Sequence, residues 1–284
     1  MSLSPIKLGL IGDNIAASSS PALHRIAGRL SGLNVTYDLL RPADLGRSFE
    51  DVLVWAEAIG YRGVNVTYPY KERVVAHLDV PDPAVRAIGA CNTVLFGDRR
   101  PVGWNTDYSG FIAAYRNSFG QHPPGCVAMA GAGGVGRAIA FALCHLGATE
   151  LRLFDVDAVK AADMAAALAA VSTTTKVTVA ATIEDASRGA DGLINSTPIG
   201  MVGIGGCAFP ASAIMGRRWA FDAVYTPVDT AFVVACRAAG LTVMSGYELF
   251  FYQGVDAFRH FTGKDVPEGQ LRAALLDDEN RVPA

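Results

Sequence analysis

Cysteine is scarce and scattered in this chain: among 284 residues there are five, Cys91, Cys126, Cys144, Cys207 and Cys236. Their odd number and the lack of any Cys-x-x-Cys spacing suit a reducing compartment and offer no metal-ligand pattern. The five histidines (His24, His77, His122, His145 and His260) show no metal-ligand grouping either, so no metal is expected. Positive charge is not in excess. Lys and Arg number 24 against 27 Asp and Glu, a net charge of −3, and no basic stripe is present to neutralise nucleic-acid phosphates. No apolar run reaches the length of a membrane span. Met1–Lys7 has no long apolar core behind a basic end, so no signal peptide is expected. Repeats, coiled-coil patterning and low-complexity linkers are missing, apart from Ala-rich helices and the polar tail Asp277–Asn280. These absences leave a soluble, cytoplasmic protein with no nucleic-acid or membrane partner, a monomer or homodimer. Its length is natural for two domains, and 51% hydrophobic residues supply the cores.

The chain is organised around Val127–Ala138, where a short apolar run meets a glycine turn and a long apolar pattern begins at Ala138. Gly131, Gly133 and Gly136 have the dinucleotide-binding spacing, for a tight turn, a close approach to pyrophosphate and helix-on-strand packing. Gly134 and Val135 lie within the same turn. The helix that follows points unpaired N–H groups and its positive dipole end at a phosphate, and Gly147 reads as its stop. Such a pattern also occurs in ordinary strand–helix turns. Two features favour the nucleotide: Leu151–Phe154 reads as the next strand, and Asp155 follows it, nineteen positions after Gly136, where a carboxylate meets ribose hydroxyls.

Elsewhere strand and helix signals alternate, which predicts a parallel α/β architecture. Strands are expected at Lys7–Ile11, Val35–Leu39, Gly63–Thr67 and Cys91–Phe96, with Val102–Asn105 as partner of the last. Helices are expected from Pro21 past Leu30, over Asp44–Ala58, after Pro69 at a corner carrying Lys71, over Ala84–Ile88, and from Thr106-Asp107 with Asp107 as cap. The nucleotide half continues with a helix at Ala158–Ala170 and strands at Val177–Val179, Gly192–Asn195, Trp219–Val224 and Thr242–Met244, with Thr230–Ala239 helical. The loop Ser196–Met201 leaves the carboxyl edge of that sheet, where ligands bind. A last apolar helix, Glu248 to about Phe261, does not fit the repeat and is expected to return to the first domain. The domains expected are 1–107, 108–245 and a returning segment 246–284.

The chain resembles the shikimate and quinate dehydrogenase family along nearly its whole length. The likeness is carried, in order, by Ser18–His24, Asn65–Lys71, Ala90–Thr93, Asn105–Asp107, Gly131–Gly134, Asn195–Met201, Asp222–Tyr225 and Gln253-Gly254. It implies two lobes: an N-terminal α/β substrate domain with a mainly parallel sheet, and a Rossmann-type dinucleotide domain. The active site would lie in the cleft between them. Hydride removal from a ring carbinol needs a base within about 3 Å of the hydroxyl. By its residue type alone, Lys71 could be a solvated lysine and Asp107 a plain N-cap; the resemblance makes them the acid/base pair, titrating as a unit. Ser18 and Ser20 lie two apart, so in an extended loop both hydroxyls face one side. The resemblance assigns them, with Tyr225, to a substrate carboxylate, and Asn65, Thr67, Asn92 and Gln253 to ring hydroxyls; these side chains can each donate and accept. Ser196, Thr197, Pro198, Met201, Val224 and Gly246 fall on its cofactor side.

Three departures refine this. Relatives using NADP carry an Asn-Arg-Ser/Thr stretch after the second strand, whereas this chain has Phe154-Asp155-Val156-Asp157. A carboxylate there repels a 2′-phosphate, so NAD is expected over NADP, although an exposed acidic turn would read the same. Glu248 stands where many relatives have methionine, and Ser20 is kept where some quinate-preferring relatives have threonine. The expectation is an NAD-dependent dehydrogenase acting on a cyclitol carboxylate, both quinate and shikimate. Alternatives are an NADP-dependent biosynthetic shikimate dehydrogenase, an aminoshikimate dehydrogenase, and a non-catalytic nucleotide-binding regulator.

Overall fold

Branched and aliphatic residues make Ile6–Ile11 (β1) a strand that is buried from Leu8 onward. In the computed structural model, which describes residues 4–172 and 174–277, this strand sits inside a five-stranded sheet of order β2-β1-β3-β4-β5. The others are β2 (Val35–Leu40), β3 (Gly63–Val66), β4 (Thr93–Leu95) and β5 (Val102–Trp104). β2 and β3 flank β1 in parallel, and β4 and β5 continue antiparallel. Two apolar layers cover the sheet. Ile11, Val64, Val66 and Val94 pack with Phe49, Val52 and Leu53 of the helix Phe49–Ala58. Leu8 and Leu10, which alternate with Ile11 along β1, pack with Tyr37, Ala257 and Phe261. The last two belong to the helix Gly246–Thr262.

The second sheet is wholly parallel, of order β11-β10-β9-β6-β7-β8. Its strands are β6 (Cys126–Ala130), β7 (Glu150–Phe154), β8 (Lys176–Val179), β9 (Gly192–Asn195), β10 (Trp219–Asp222) and β11 (Thr242–Met244). This is the doubly wound dinucleotide-binding order, and the progression of the strands reverses between β6 and β9, where such sheets place ligands. The chain divides into two compact units: one runs to Thr106 and resumes at Gln253, the other spans Asp107–Tyr252. The second boundary falls inside the continuous helix Gly246–Thr262, whereas the sequence suggested a break before it. The first turn of that helix is held in the second unit, where Gly246 lies against the backbone carbonyls of residues 222–224. Of the expected tail, residues 278–280 lie outside the described residues. Among the described residues, no helix is long and apolar enough to cross a membrane.

Several local expectations are corrected. The helix expected over Asp44–Ala58 is two: Pro42–Leu45 ends at Gly46 (φ 59°), and Ser48 caps Phe49–Ala58 by accepting from the Asp51 N–H. The corner after Pro69 leads not into an α-helix but into a turn and the 3₁₀ segment Arg73–His77. Asp107 is the second residue of the helix Thr106–Phe119 rather than its cap. The nucleotide-side helix starts at Gly134, ahead of the apolar pattern, with Gly133 at its N-cap.

The helix Ser20–Leu30 carries a buried histidine. The His24 ring stacks on Tyr37 with centroids 4.8 Å apart, and its Nδ1 has no hydrogen-bond partner. Burial lowers its pKa from 6.5 to about 3, against a smaller opposing contribution from the Asn65 side chain. Between those values the unfolded chain binds the proton that the folded chain refuses. Stability contributed here is therefore complete above pH 6.5 and is lost as pH falls toward 3. Below pH 6.5 the protein should lose about 1.4 kcal/mol per pH unit from this group. Denaturant titrations from pH 7 to pH 5 should show that slope reduced in His24→Phe; an unchanged slope would place the acid sensitivity elsewhere.

Candidate functional site

In the first unit the substrate-side residues gather at the carboxyl ends of β1 and β3 and at the start of β4. Gly12 lets the chain pass close to Thr67: a Cβ on Gly12 would lie 2.4 Å from the Thr67 methyl. Thr67 is tied back by its N–H to the Ile11 carbonyl (2.9 Å). The half-buried Lys71 follows on the corner, where its carbonyl accepts from the Cys91 N–H at 2.8 Å. That bond joins the lysine segment to the Asn92 segment. Ser18 and Ser20 do not lie in an extended loop. Ser20 opens the helix Ser20–Leu30, and the Ser18 hydroxyl accepts from the Ser20 N–H at 3.2 Å. The expected parallel presentation of their hydroxyls is thus replaced by a tight helix-entry turn.

The asparagines are deeply involved in the fold. Asn65 Nδ2 donates to the Asn92 carbonyl (3.1 Å) and to Thr93 Oγ1 (3.0 Å), while its Oδ1 accepts from the Tyr37 hydroxyl (2.8 Å). Both amide hydrogens are spent, which corrects the expectation that Asn65 can donate to a ring hydroxyl. Asn92 Oδ1 accepts from the Thr106 N–H at 2.7 Å, and the Thr93 and Thr106 hydroxyls lie 3.1 Å away. The Thr106 hydroxyl is also 3.4 Å from Gln253 Oε1. Tyr37, Thr93 and Thr106 carry no site role in the sequence reading, although Thr93 and Thr106 lie in two of the matching motifs. The inward alternation of β2 marks Tyr37, but nothing local marks its partner.

In the second unit Gly131 has φ 99°, a left-handed turn that favours glycine, and a Cβ there would lie 2.8 Å from the Ser196 carbonyl. A Cβ on Gly136 would lie 2.5 Å from the Gly131 carbonyl, so the third glycine packs the helix onto the turn itself. In front of Gly133 and Gly134 a Cβ would meet nothing within 4 Å. This open space, ahead of the first N–H groups of the helix Gly134–His145, suits a pyrophosphate. Asp155 stands just past β7; Oδ2 accepts from the Ala132 N–H (2.7 Å) and Oδ1 from the Asp157 N–H (2.8 Å). A carboxylate has about four acceptor positions, so lone pairs remain for ribose hydroxyls. The residues present therefore fit a dinucleotide.

Several of the other cofactor-side residues brace the loop that follows β9. Ser196 Oγ lies 2.7 Å from the Ala130 carbonyl and 2.9 Å from that of Gly131, and Thr197 Oγ1 donates to Asn195 Oδ1 at 2.7 Å. Both hydroxyls hold the loop, leaving Pro198 and the exposed Met201 at its outer part. Asn195 in turn donates to Asp222 (2.9 Å), a buried carboxylate that also accepts from Thr230 and the Val224 N–H. Burial pushes the Asp222 pKa up. The close approach at Gly246 is to carbonyls of this chain, 2.7–2.8 Å from where its Cβ would stand. Tyr225 stacks on Phe250 at 5.4 Å, and burial raises its phenol pKa.

Residues 10–94 match the shikimate dehydrogenase substrate binding domain, and residues 246–276 match the shikimate 5′-dehydrogenase C-terminal domain. A shikimate dehydrogenase (NADP(+)) of Arthrobacter sp. is 38% identical over 95% of this chain and 94% of its own length. The chain belongs to the shikimate dehydrogenase family. Within the family, a quinate/shikimate dehydrogenase (NAD(+)) of Corynebacterium efficiens is 36% identical over 95% of this chain and 98% of its own. Quinate dehydrogenase from Corynebacterium glutamicum, solved in complex with NAD, superposes with a TM-score of 0.89 at 34% identity, covering 96% of this chain and 99% of that one. This family member is an enzyme, an NAD(P)-dependent alcohol dehydrogenase of the quinate/shikimate type, and its two-unit α/β fold is that of its relatives. Relatives of both cofactor types are similar to it.

Proposed function

We propose that the protein is an NAD-dependent dehydrogenase of quinate and shikimate in which Lys71 and Asp107 form the acid/base pair. The cofactor preference is carried by one observation: the Asp155 carboxylate lies at the end of β7 against the glycine turn, anchored by the Ala132 N–H. A fixed negative charge there accepts from free 2′- and 3′-hydroxyls and repels a 2′-phosphate. When bound, the nicotinamide takes up the hydride that leaves the substrate's carbinol carbon. The hydroxyl proton passes to Lys71, acting as general base, as the carbinol C–O bond becomes the C=O of a ketone. Asp107 hydrogen-bonds the same hydroxyl and places a carboxylate beside the proton that Lys71 takes up. Ser18, Ser20 and Tyr225 hold the carboxylate; Thr67, Asn92 and Gln253 hold ring hydroxyls.

Steady-state kinetics with both cofactors test the preference. The expected result is kcat/KM at least about tenfold higher with NAD, from one charged hydrogen-bonding group facing a hydroxyl rather than a phosphate. Higher efficiency with NADP would overturn it and return the chain to the biosynthetic reading.

A further inference from the structure

The orientation of the two buried asparagine amides follows from partners that can play only one part. Asn65 faces the Asn92 backbone carbonyl at 3.1 Å, and a carbonyl only accepts, so that end of the amide is the NH₂ group. Its other end is then Oδ1, and the Tyr37 hydroxyl 2.8 Å away must donate to it. Asn92 is fixed by the opposite logic. Its amide faces the Thr106 backbone N–H at 2.7 Å, and an N–H only donates, so that end is Oδ1. The Thr93 hydroxyl accepts from Asn65 at 3.0 Å and lies 3.1 Å from Asn92 Oδ1 and 3.3 Å from the Thr106 hydroxyl, itself 3.1 Å from Asn92 Oδ1, so its proton leads to Asn92 directly or through Thr106. Hydrogen bonds thus run in one direction, from Tyr37 through Asn65 and Thr93 to Asn92. Such chains polarise along their length, and each bond strengthens the next. Tyr37 (1% exposed) and Thr93 (0%) anchor it.

We propose that Tyr37, Asn65 and Thr93 are positioning residues that present the Asn92 amide to the substrate as a hydrogen-bond donor, and that none of the three touches the substrate. The inference rests on reading Asn92 as a contact to a ring oxygen of a cyclitol carboxylate. It makes the Asn92 subsite selective for an oxygen that can accept, and it takes Asn65 out of the set of direct contacts. The aromatic stack of His24 on Tyr37 holds the phenol from behind. The polarity cannot reverse without setting Asn92 Oδ1 and its backbone donor apart, because Thr106 N–H fixes that end.

Thr93→Val keeps the shape and removes the hydroxyl's hydrogen bonds to Asn65, Asn92 and Thr106. KM for quinate or shikimate should rise about five- to tenfold, the loss of a buried hydrogen bond, with kcat within about twofold and the KM for NAD unchanged. The same substitution in an Asn92→Ala background should add nothing, because the residue it acts through is gone. Asn92→Asp keeps the acceptor for Thr106 and shows the substrate an oxygen in place of the NH₂; its KM should rise about a hundredfold, the range for a lost charged or buried partner. An unchanged KM in Thr93→Val, losses that add in the double variant, or wild-type KM in Asn92→Asp would each overturn the proposal. Should Thr93→Val not fold, Thr93→Ala enters the same cycle with the same expected outcomes. Wild-type protein that turns over neither acid would instead overturn the underlying functional reading, which the wild-type control reports separately.

Discussion

Replacing Lys71 with alanine should lower kcat on quinate and shikimate by about a thousandfold, within the range for loss of a positioned general base. Cofactor binding, followed by quenching of protein fluorescence, should be unchanged, because the glycine turn and Asp155 belong to the other unit. The lysine side chain springs from a corner whose backbone is fixed to the Cys91 N–H, so the substitution removes the amine without releasing the segment. A nucleotide-binding regulator would bind cofactor equally well with either residue and show no turnover to lose. Retention of turnover by Lys71→Ala would require another proton acceptor and would remove the chemical role assigned to the pair with Asp107.

The second large effect is expected at Asp155. Asp155→Asn keeps the side-chain volume but substitutes an NH₂ group for one of two oxygens, each of which already accepts a backbone N–H. The KM for NAD should rise about tenfold to a hundredfold, the range for hydrogen bonds made to a charged group. Efficiency with NADP should fall far less, so the ratio of the two moves toward NADP by about tenfold. Equal losses with both cofactors would mean that Asp155 only pins the glycine turn and reads no ribose hydroxyl.

How much of this was legible in the sequence depended on whether the deciding interaction is local. Gly192–Asn195 was bounded as it is found because a strand buried on both faces reads as a short apolar run between turn residues. The doubly wound order could be anticipated from the glycine turn and the alternation of elements. The stretch 44–58 deceived, since its helical spacing continues through Gly46, and only the left-handed backbone there shows the break. Gly136 was recognisable as the glycine that packs the helix, but only the structure shows that it packs against the turn at Gly131. Asn65 shows the limit most clearly. Its residue type suits a substrate hydroxyl, yet its hydrogen-bonding capacity is taken by Tyr37 and Thr93, each 28 positions away. Saturation by distant partners leaves no trace in a local pattern.

The most direct test is to follow an isotope. Quinate and shikimate deuterated at the carbinol carbon that becomes the ketone should deliver one deuterium to the nicotinamide ring for each ketone formed, detected by mass spectrometry of the reduced cofactor. Transfer should be seen with the wild-type protein and be almost wholly lost with Lys71→Ala. Ketone formed without deuterium in the cofactor, or transfer undiminished in Lys71→Ala, would contradict hydride removal coupled to proton loss at that lysine.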